Sequence, residues 1–337
     1  MIIVMRKGAK KKSVDHVLES ITKVGLKPVP LFGTERTVIA VIGDERILHV
    51  ESLCAMEDVE KAMPVLKPYK LVSRESHPKD TVIDVGGVKV GGKKVVVMAG
   101  PCAVESRKQI IETARGVKRA GATFLRGGAF KPRTGPYDFQ GLGEKGLKYL
   151  AAARKETGLR IVTEVVDPRQ VAMVAKYADV LQIGTRNMQN YLLLKEAGKS
   201  GKPVMLKRGM WATYKEFLLA AEYIMAEGNP NVILCERGIR TFETHTRNTL
   251  DLNAVASIKE LSHLPVIVDP SHGTGRRSLV RPLSRAAIAT GADGIIIESH
   301  IDPENALTDA DQTISIEETK RLIVECRAIA KVVGRSL

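Results

Sequence analysis

Four side chains of types that bind transition metals stand at or beyond the ends of apolar segments: Cys102, His272, Glu298 and Asp309. They offer one thiolate, one imidazole and two carboxylates. This mixture of sulfur, nitrogen and oxygen ligands suits one divalent ion of the Mn²⁺, Fe²⁺, Co²⁺ or Zn²⁺ type, and does not suit Mg²⁺. A buried cysteine or a loop histidine is common without a metal. The four residues together predict a metal site.

A second group of residues at the ends of apolar segments is cationic, and consists of Arg126, Lys131, Arg133, Arg186, Lys207 and Arg237. Six cations around one opening would repel one another unless anions bound between them. Guanidinium and ammonium groups bind carboxylates and phosphates well. The group therefore predicts a ligand set with at least two anionic groups, such as two phosphates and a carboxylate. The alternative is a rim neutralised by acidic residues of neighbouring loops.

Eight apolar segments carry these residues and alternate with helical patterns from Val95 onward. They span residues 95–100, 123–128, 160–165, 180–184, 203–209, 232–238, 265–273 and 294–300, and a last helix is predicted over 316–333. Continuous apolar runs are typical of buried parallel strands. The pattern predicts a (β/α)8 TIM barrel, whose active site forms where the strands end. An open doubly wound sheet is less well supported, because no G-x-G-x-x-G turn follows the first run.

The first 75 residues have a different order, which is strand, helix, strand, strand, helix and strand. The strands are predicted at 2–5, 28–32, 37–42 and 69–72, and the second helix opens at Asp44. This order predicts a small α+β ferredoxin-like module. Residues 73–80 form a linker, and residues 81–94 form a hairpin that caps the bottom of the barrel. The predicted domains are residues 1–75 and 76–337.

The 337-residue chain carries a net charge of +14, and the first 64 residues are nearly balanced. A basic barrel suggests nucleic acid or phosphorylated metabolites as partners. Only 4% of residues are aromatic and Trp211 is the sole tryptophan, which argues against nucleic acid. A phosphosugar-binding protein without catalysis would not need the metal-ligand set. Four scattered cysteines, the lack of a long apolar run and the absence of a signal pattern predict a cytoplasmic protein without a membrane partner.

Six ordered motifs resemble those of 3-deoxy-D-arabino-heptulosonate 7-phosphate (DAHP) synthases. They are GPCAVES (100–106), RGGAFKPRTGPYDFQG (126–141), KRG (207–209), ERGIRTFE (236–243), DPSHGTGRRSLV (269–280) and ESHIDPENALTDADQ (298–312). The resemblance covers residues 95–337. It implies a transferase that condenses phosphoenolpyruvate with erythrose 4-phosphate and releases phosphate, in the first step of the shikimate pathway to the aromatic amino acids. The alternative is the related 3-deoxy-D-manno-octulosonate 8-phosphate synthase, which uses arabinose 5-phosphate. An Ala-Asn-Arg-Ser type of sequence is usual there, whereas Lys131-Pro132-Arg133-Thr134 points to erythrose 4-phosphate.

The resemblance also implies a role for each site residue. The metal ligands would be Cys102, His272, Glu298 and Asp309. The residues at phosphoenolpyruvate would be Arg126 and Lys131 at the carboxylate, Arg186, Lys207 and Arg237 at the phosphate, and Glu164 nearby. The aldose phosphate would be held by Pro132, Arg133 and Thr134. Lys131 would also be catalytic, as the proton donor to the forming alkoxide. No role is implied for Arg276 or Arg277.

For the N-terminal module, the resemblance implies feedback inhibition by tyrosine or phenylalanine and a homo-oligomer, with a tetramer as the implied size. The module contains none of the predicted site residues. A βαββαβ module can expose a sheet face or edge that pairs with another subunit and encloses a ligand. The alternative is a module that only stabilises or oligomerises the barrel. Relatives with a fused chorismate mutase carry a helical extension, which this strand-rich pattern does not match.

Overall fold

The structure is a computed structural model that describes residues 1–33, 36–43, 47–64 and 68–337. Its N-terminal part contains β1 (Ile2–Met5), α1 (Lys11–Lys23), β2 (Lys27–Phe32), β3 (Thr37–Ile42), α2 (Val50–Cys54) and β4 (Val59–Met63). The four strands form an antiparallel sheet in the order β2-β3-β1-β4. This order is that of the predicted ferredoxin-like module, which is confirmed.

Both faces of this sheet are buried. On one face, α1 places Val14, Val17 and Ile21 against alternate strand residues such as Ile3 and Ile39. On the other face, residues including Ile2, Val4, Val29 and Ala40 belong to the same buried cluster as the outer layer of the barrel. Of the two places predicted for pairing with another subunit, a sheet face or an edge, both faces are therefore covered. The edge strands β2 and β4 remain as the places where the sheet could extend.

The last strand of the module is not where the sequence predicted it. Residues 69–72 form no strand, and β4 lies at Val59–Met63 instead. The segment is bound to the barrel, because the Glu222 carboxylate accepts backbone N–H groups from Lys70, Leu71 and Val72 at 2.9, 2.8 and 3.0 Å. The second helix is described only as Val50–Cys54, and its predicted start at Asp44 lies outside the described residues.

The barrel follows a short hairpin of β5 (Ile83–Val85) and β6 (Val88–Val90). Its strands are β7 (Val96–Gly100), β8 (Phe124–Arg126), β9 (Arg160–Glu164), β10 (Val180–Ile183), β11 (Val204–Lys207), β12 (Val232–Glu236), β13 (Val266–Val268) and β14 (Gly294–His300). Each strand pairs in parallel with the next, and β14 pairs with β7 from Gly294–Val96 to Glu298–Gly100. The sheet is therefore closed, and the predicted (β/α)8 TIM barrel is confirmed.

Alternation along the strands separates two cores. Inward residues such as Met98, Phe124 and Met205 cluster with Ile83 and Val90 of the hairpin, so the hairpin packs against the inner core of the barrel. Outward residues pack under the surrounding helices. The helices of this part of the chain are α3 (Arg107–Ala120), α4 (Glu144–Thr157), α5 (Val171–Tyr177), α6 (Tyr191–Lys199), α7 (Tyr214–Met225), α8 (Leu252–Leu261), α9 (Pro270–Thr274), α10 (Arg277–Ala289) and α11 (Ile316–Val332). A two-residue strand, β15 (Ile314–Ser315), precedes α11.

Local sequence explains where several helices begin. Helix α3 is capped by Ser106, whose hydroxyl accepts the N–H of Gln109 at 3.0 Å. Helices α7 and α11 each begin with a capping box, formed by Thr213 with Glu216 and by Ser315 with Glu318. These caps fix the chain as it leaves the rim and so hold the loops that carry the candidate site. Among the described residues, no helix combines the length and apolar character needed to cross a membrane.

Candidate active site

The carboxyl ends of the barrel strands surround a polar cavity of about 170 Å³. Its lining includes most of the predicted site residues, namely Arg126, Lys131, Pro132, Arg133, Thr134, Glu164, Arg186, Lys207, Arg237, His272 and Asp309. The other two, Cys102 and Glu298, contact this lining directly. The structure therefore brings together, on one rim, residues from all eight strands or the loops that follow them.

Three of the predicted metal ligands form a compact donor group. Ligand atoms of Cys102, Glu298 and Asp309 all lie within 4.8 Å of one another. The fourth, His272, has Nε2 3.4 Å from Glu298 Oε1, while its Nδ1 is 2.7 Å from Asp269 Oδ2. A proton on Nδ1 directed at Asp269 leaves the Nε2 lone pair facing the donor group, as in carboxylate–histidine–metal arrangements. The donor set fits a borderline transition ion.

The ionisation of these groups follows from their surroundings. Burial, together with the charge of Glu298, raises the pKa of the Cys102 thiol to about 12, so the thiolate needs a cation beside it. Burial opposes ionisation of Asp309, but His272 and the Cys102 hydrogen bond, which is 3.1 Å long, lower the pKa of Asp309 to about 2. Burial also lowers the pKa of His272, which favours the neutral imidazole that a metal requires.

Several of the six cations have acidic partners in the structure. Lys207 Nζ lies 2.5 Å from Asp269, and Arg126 donates to Glu298 at 2.8 Å; all four side chains are buried. Arg133 lies 3.4 Å from the more exposed Asp138. The alternative of a neutralised rim thus holds for part of the set, but the carboxylates involved are Glu298, a predicted metal ligand, and Asp269, which contacts His272.

Arg237 is the cation that most clearly lacks compensation. It is only 5% exposed, and its NH1 group finds no hydrogen-bond partner among the residues that the structure describes. Burial lowers the pKa of Arg237, although Asp269 opposes the shift. An unsatisfied buried guanidinium is costly. An anion in the cavity would satisfy it.

Lys131 lies between the metal donors and the loop that follows β8. Its Nζ is 3.0 Å from Cys102 Sγ and 3.3 Å from Cys102 O. A glycine is needed at position 128, because a Cβ there would lie 2.7 Å from Lys131 Cδ and 3.0 Å from Cys102 O. Burial would lower the pKa of Lys131, but Cys102 and Glu164 raise it, so the ammonium stays charged.

The loop 132–134 and Arg186 are in contact. Arg186 donates to Pro132 O at 3.4 Å and to Thr134 Oγ1 at 3.3 Å, so it lies nearer this loop than its predicted grouping with Lys207 and Arg237 suggests. Glu164 is buried and packs against Gly184. A Cβ added at position 184 would lie only 2.0 Å from Oε1 of Glu164. Gln182 donates to Glu164 at 3.5 Å, which is a long hydrogen bond.

Four residues of the site had no role assigned from sequence: Gln182, Asp269, Arg247 and Gln312. Gln182 and Asp269 stand at the ends of strands, and this position indicates that they belong to the site. Their residue types do not indicate which role they have there. Gln312 donates to Glu298 at 2.6 Å, and Arg247 reaches both Gln312 and Asp309. Arg247 and Gln312 lie in polar loop segments, where no periodicity marks a site residue.

Two other cations at strand ends or in the motifs have structural contacts. Arg208 points away from the cavity and forms buried ion pairs with Glu236 and Asp251 at 2.9 and 2.8 Å. Arg277 forms an ion pair with Glu304 and donates to Ala310 O at 3.1 Å, and so holds the loop that carries Asp309. The backbone of Asp309 is left-handed (φ 51°), a conformation that is rare outside glycine. The Arg277 contacts help to keep it there.

Fold and site together define a class of protein: a (β/α)8 barrel whose rim places a group of possible metal ligands beside a cavity lined by cations. The family model described as the DAHP synthetase I family matches residues 72–331, and the model described as the DAHP synthase ferredoxin-like domain matches residues 1–67. The chain belongs to the DAHP synthetase I family. The predictions of an enzyme and of DAHP synthase activity are confirmed.

Individual relatives agree with this placement. A Thermotoga maritima protein named phospho-2-dehydro-3-deoxyheptonate aldolase is 52% identical over 334 residues, which is 99% of either chain. A crystal structure from the same organism under that name has a TM-score of 0.80 at 51% identity, and covers 99% of this chain and 98% of that one. A Syntrophotalea carbinolica protein named 2-dehydro-3-deoxyphosphooctonate aldolase is 33% identical over 270 residues, covering 74% of this chain and 96% of that one.

Proposed function

We propose that the cavity condenses phosphoenolpyruvate with erythrose 4-phosphate, forming DAHP and inorganic phosphate. The observation that carries this proposal is the joining of a metal donor group and a cluster of cations in one cavity. A phosphosugar-binding protein would need only the cations. The reaction needs both, because it brings two anionic substrates together and activates an aldehyde.

We assign the phosphoenolpyruvate carboxylate to Arg126 and Lys131, and its phosphate to Arg186, Lys207 and Arg237, with Glu164 beside it. The unsatisfied NH1 of Arg237 supports a phosphate at that position. Pro132, Arg133 and Thr134 hold the phosphate of the aldose. Pro132 and Arg133 are half-buried and Thr134 is exposed, so this loop can be reached from solvent by an incoming aldose phosphate.

Cys102, His272, Glu298 and Asp309 would hold one divalent metal ion of the Mn, Fe, Co or Zn type. When bound, it supplies Lewis-acid polarisation of a carbonyl or water oxygen. The support is the donor group itself, with its thiol and imidazole, and the carboxylate of Asp269 that orients His272.

The chain's own residues orient the reactants, donate a proton and neutralise the charge of the departing phosphate. C3 of phosphoenolpyruvate adds to the aldehyde carbon, and Lys131 donates a proton to the oxygen that becomes a hydroxyl. Positive charge develops at C2, where water adds as a hydroxyl and releases one proton, which balances the proton donated by Lys131. Phosphate then leaves from the resulting hemiketal as its C–O bond breaks. Lys207 and Arg237 neutralise the departing phosphate, and their fixed positions avoid a reorganisation cost during the reaction.

The alternative reaction uses arabinose 5-phosphate, as in the octulosonate synthases. The whole-length similarity to a heptonate aldolase, including the N-terminal module, favours erythrose 4-phosphate, because the octonate relatives align with only part of the chain. The Lys131–Thr134 segment, which lines the cavity as KPRT, supports the same choice.

Replacing Arg133 with alanine is expected to raise the KM for erythrose 4-phosphate about tenfold or more, because a charge-assisted contact contributes about 1.5–3 kcal/mol. The KM for phosphoenolpyruvate should change little. Steady-state kinetics with each substrate varied in turn measures both constants. The exposed Arg169, paired with Asp167 away from the cavity, gives a matched Arg169→Ala control. A larger effect on phosphoenolpyruvate than on the aldose would contradict the division of the cations.

The N-terminal module, predicted as residues 1–75, is proposed to be regulatory, with tyrosine or phenylalanine as the feedback effector and a homo-oligomer, a tetramer, as the assembly. Its fold and its separation from the cavity residues support this role. Because both sheet faces are buried, pairing with another subunit would use an edge, β2 or β4. A cytoplasmic location is proposed as well, supported by four free cysteines.

Deleting residues 1–67 is expected to leave a folded, metal-dependent synthase that no longer responds to tyrosine or phenylalanine. This boundary keeps residues 70–72, whose N–H groups satisfy the Glu222 carboxylate. A truncated form of the Thermotoga maritima synthase, 52% identical and covering 80% of this chain with a TM-score of 0.75, indicates that such a barrel can stand alone. Initial rates with and without each amino acid are the measurement. Continued inhibition of the truncated chain would exclude the module as the regulatory site.

A further inference from the structure

Arg247 is a cation of the cavity that none of the assigned roles uses. It lies in the loop between β12 and α8, where its backbone N–H donates to Thr274 O at 2.9 Å. The neighbouring turn fits closely: Gly275 has φ +68°, and a Cβ there would lie 2.6 Å from Arg247 Cβ. The backbone at Arg247 is therefore held against the α9 turn, and the side chain extends over the rim into the cavity lining.

The Arg247 guanidinium has few contacts, and the one to Asp309 is weak. NH1 lies 3.1 Å from Gln312 Oε1 and 3.5 Å from Asp309 Oδ1, and the side chain is 42% exposed. The second distance is beyond a normal N–H···O hydrogen bond. A guanidinium carries five donors, and no other side-chain hydrogen bond of Arg247 occurs among the described residues. Arg247 therefore has N–H groups that are free to bind a ligand, and its long side chain can change rotamer to reach one.

Arg237 faces the same cavity as Arg247. Both guanidinium groups line this one cavity. Burial lowers the pKa of Arg237, and the charge of Arg247 lowers it further, as expected for two cations that repel each other. The NH1 of Arg237 has no partner in the described structure. Lys207, which also lines the cavity, is already compensated by Asp269. An anion with several oxygens would satisfy Arg237 and relieve its repulsion with Arg247.

We propose that Arg247 is a further phosphate-binding residue, which leaves Asp309 and closes on the phosphate group held at Arg237. This inference rests on the proposed function, because it takes phosphoenolpyruvate as the ligand whose phosphate lies at Arg237. It also assigns a second role to the weak Asp309 contact: Asp309 holds Arg247 at the rim until the anion arrives. If the contact with Asp309 only holds Arg247 at the rim, removal of Arg247 should leave Mn²⁺ binding close to that of the parent chain.

The test uses the full chain and three variants, Arg247→Ala, Arg247→Lys and Arg240→Ala. Arg240 is exposed in the same loop and does not line the cavity, so it is a matched control for loop charge. Binding of phosphoenolpyruvate and of inorganic phosphate is measured by calorimetry in the presence of Mn²⁺, and Mn²⁺ binding is measured separately. Arg247→Ala should raise the Kd for phosphoenolpyruvate about tenfold. Arg247→Lys should raise it less, and Arg240→Ala less than about twofold.

The proposal is overturned if Arg247→Ala binds phosphoenolpyruvate as tightly as the parent chain, or if its main effect is weaker Mn²⁺ binding, which would make Arg247 only a support for Asp309. If the alanine variant does not fold, the Kd of the Arg247→Lys variant for phosphoenolpyruvate is compared with that of the parent chain instead. This variant keeps the positive charge. Failure of the proposed function is distinguishable, because the parent chain would then not bind phosphoenolpyruvate at all, whatever stands at position 247.

Discussion

Replacing Cys102 with alanine is expected to remove metal binding and to lower kcat by about three orders of magnitude or more, since a Lewis acid contributes several kcal/mol to transition-state stabilisation. Alanine cannot replace the thiolate, and the remaining donors, Glu298, Asp309 and His272, offer only hard or borderline atoms. The fold should persist, because the change removes a single small buried atom. Metal content after dialysis and the initial rate with added Mn²⁺ are the two measurements.

Cys326 provides the control for this variant. It is also fully buried, but in α11, and burial raises the pKa of its thiol to about 12 just as for Cys102. Cys326→Ala should keep both metal and activity. If Cys102→Ala retained the metal and turned over at the parent rate, the metal assignment would be wrong. Removal of the metal from the parent chain with EDTA should reproduce the loss, and Mn²⁺ should restore activity.

Replacing Lys131 with alanine is expected to lower kcat by about two to four orders of magnitude, the usual range for a general acid. Lys131 Nζ lies 3.0 Å from Cys102 Sγ, so it can reach an oxygen held near the metal donors. A Lys131→Arg variant should recover phosphoenolpyruvate binding, because the charge returns, but not kcat, because guanidinium is a poor proton donor. Separate determination of KM and kcat distinguishes the two roles.

Lys145 provides a comparison on α4, where its ammonium lies 6.0 Å from the Tyr149 ring, outside the cavity. Lys145→Ala should leave both constants near those of the parent. A Lys131→Ala enzyme with raised KM and unchanged kcat would limit Lys131 to binding the carboxylate. Another residue would then have to be the proton donor.

The barrel and most of its site could be predicted from the sequence for a physical reason. Parallel strands buried on both sides must be continuous apolar runs, so each run and its end are visible. The ends of all such strands meet at one rim. Residues such as Arg126, Glu164 and Lys207 could therefore be assigned to one cavity without knowing which strands are neighbours, and the structure places them together there.

Two features were beyond this reasoning. The apolar segment that ends at Val72 has the pattern of a strand. Its N–H groups are bound by the Glu222 carboxylate on α7 instead of by a neighbouring strand, and Glu222 lies 150 residues further along the sequence than Val72. The true strand β4, Val59–Met63, has only two of its five residues buried and so carries a weak pattern. Ion-pair partners such as Asp269 for Lys207, or Arg247 beside Asp309, depend on loop conformation, which periodicity does not report.

The proposed condensation is tested most directly by incubating the full chain and Mn²⁺ with phosphoenolpyruvate and, in parallel, equal concentrations of erythrose 4-phosphate or arabinose 5-phosphate. Phosphate release and the mass of the sugar product are followed together. We expect phosphate release equal to phosphoenolpyruvate consumption with erythrose 4-phosphate, a seven-carbon product, and slower turnover with arabinose 5-phosphate. Faster turnover of arabinose 5-phosphate, or no phosphate release with erythrose 4-phosphate in the presence of metal, would contradict the proposed reaction.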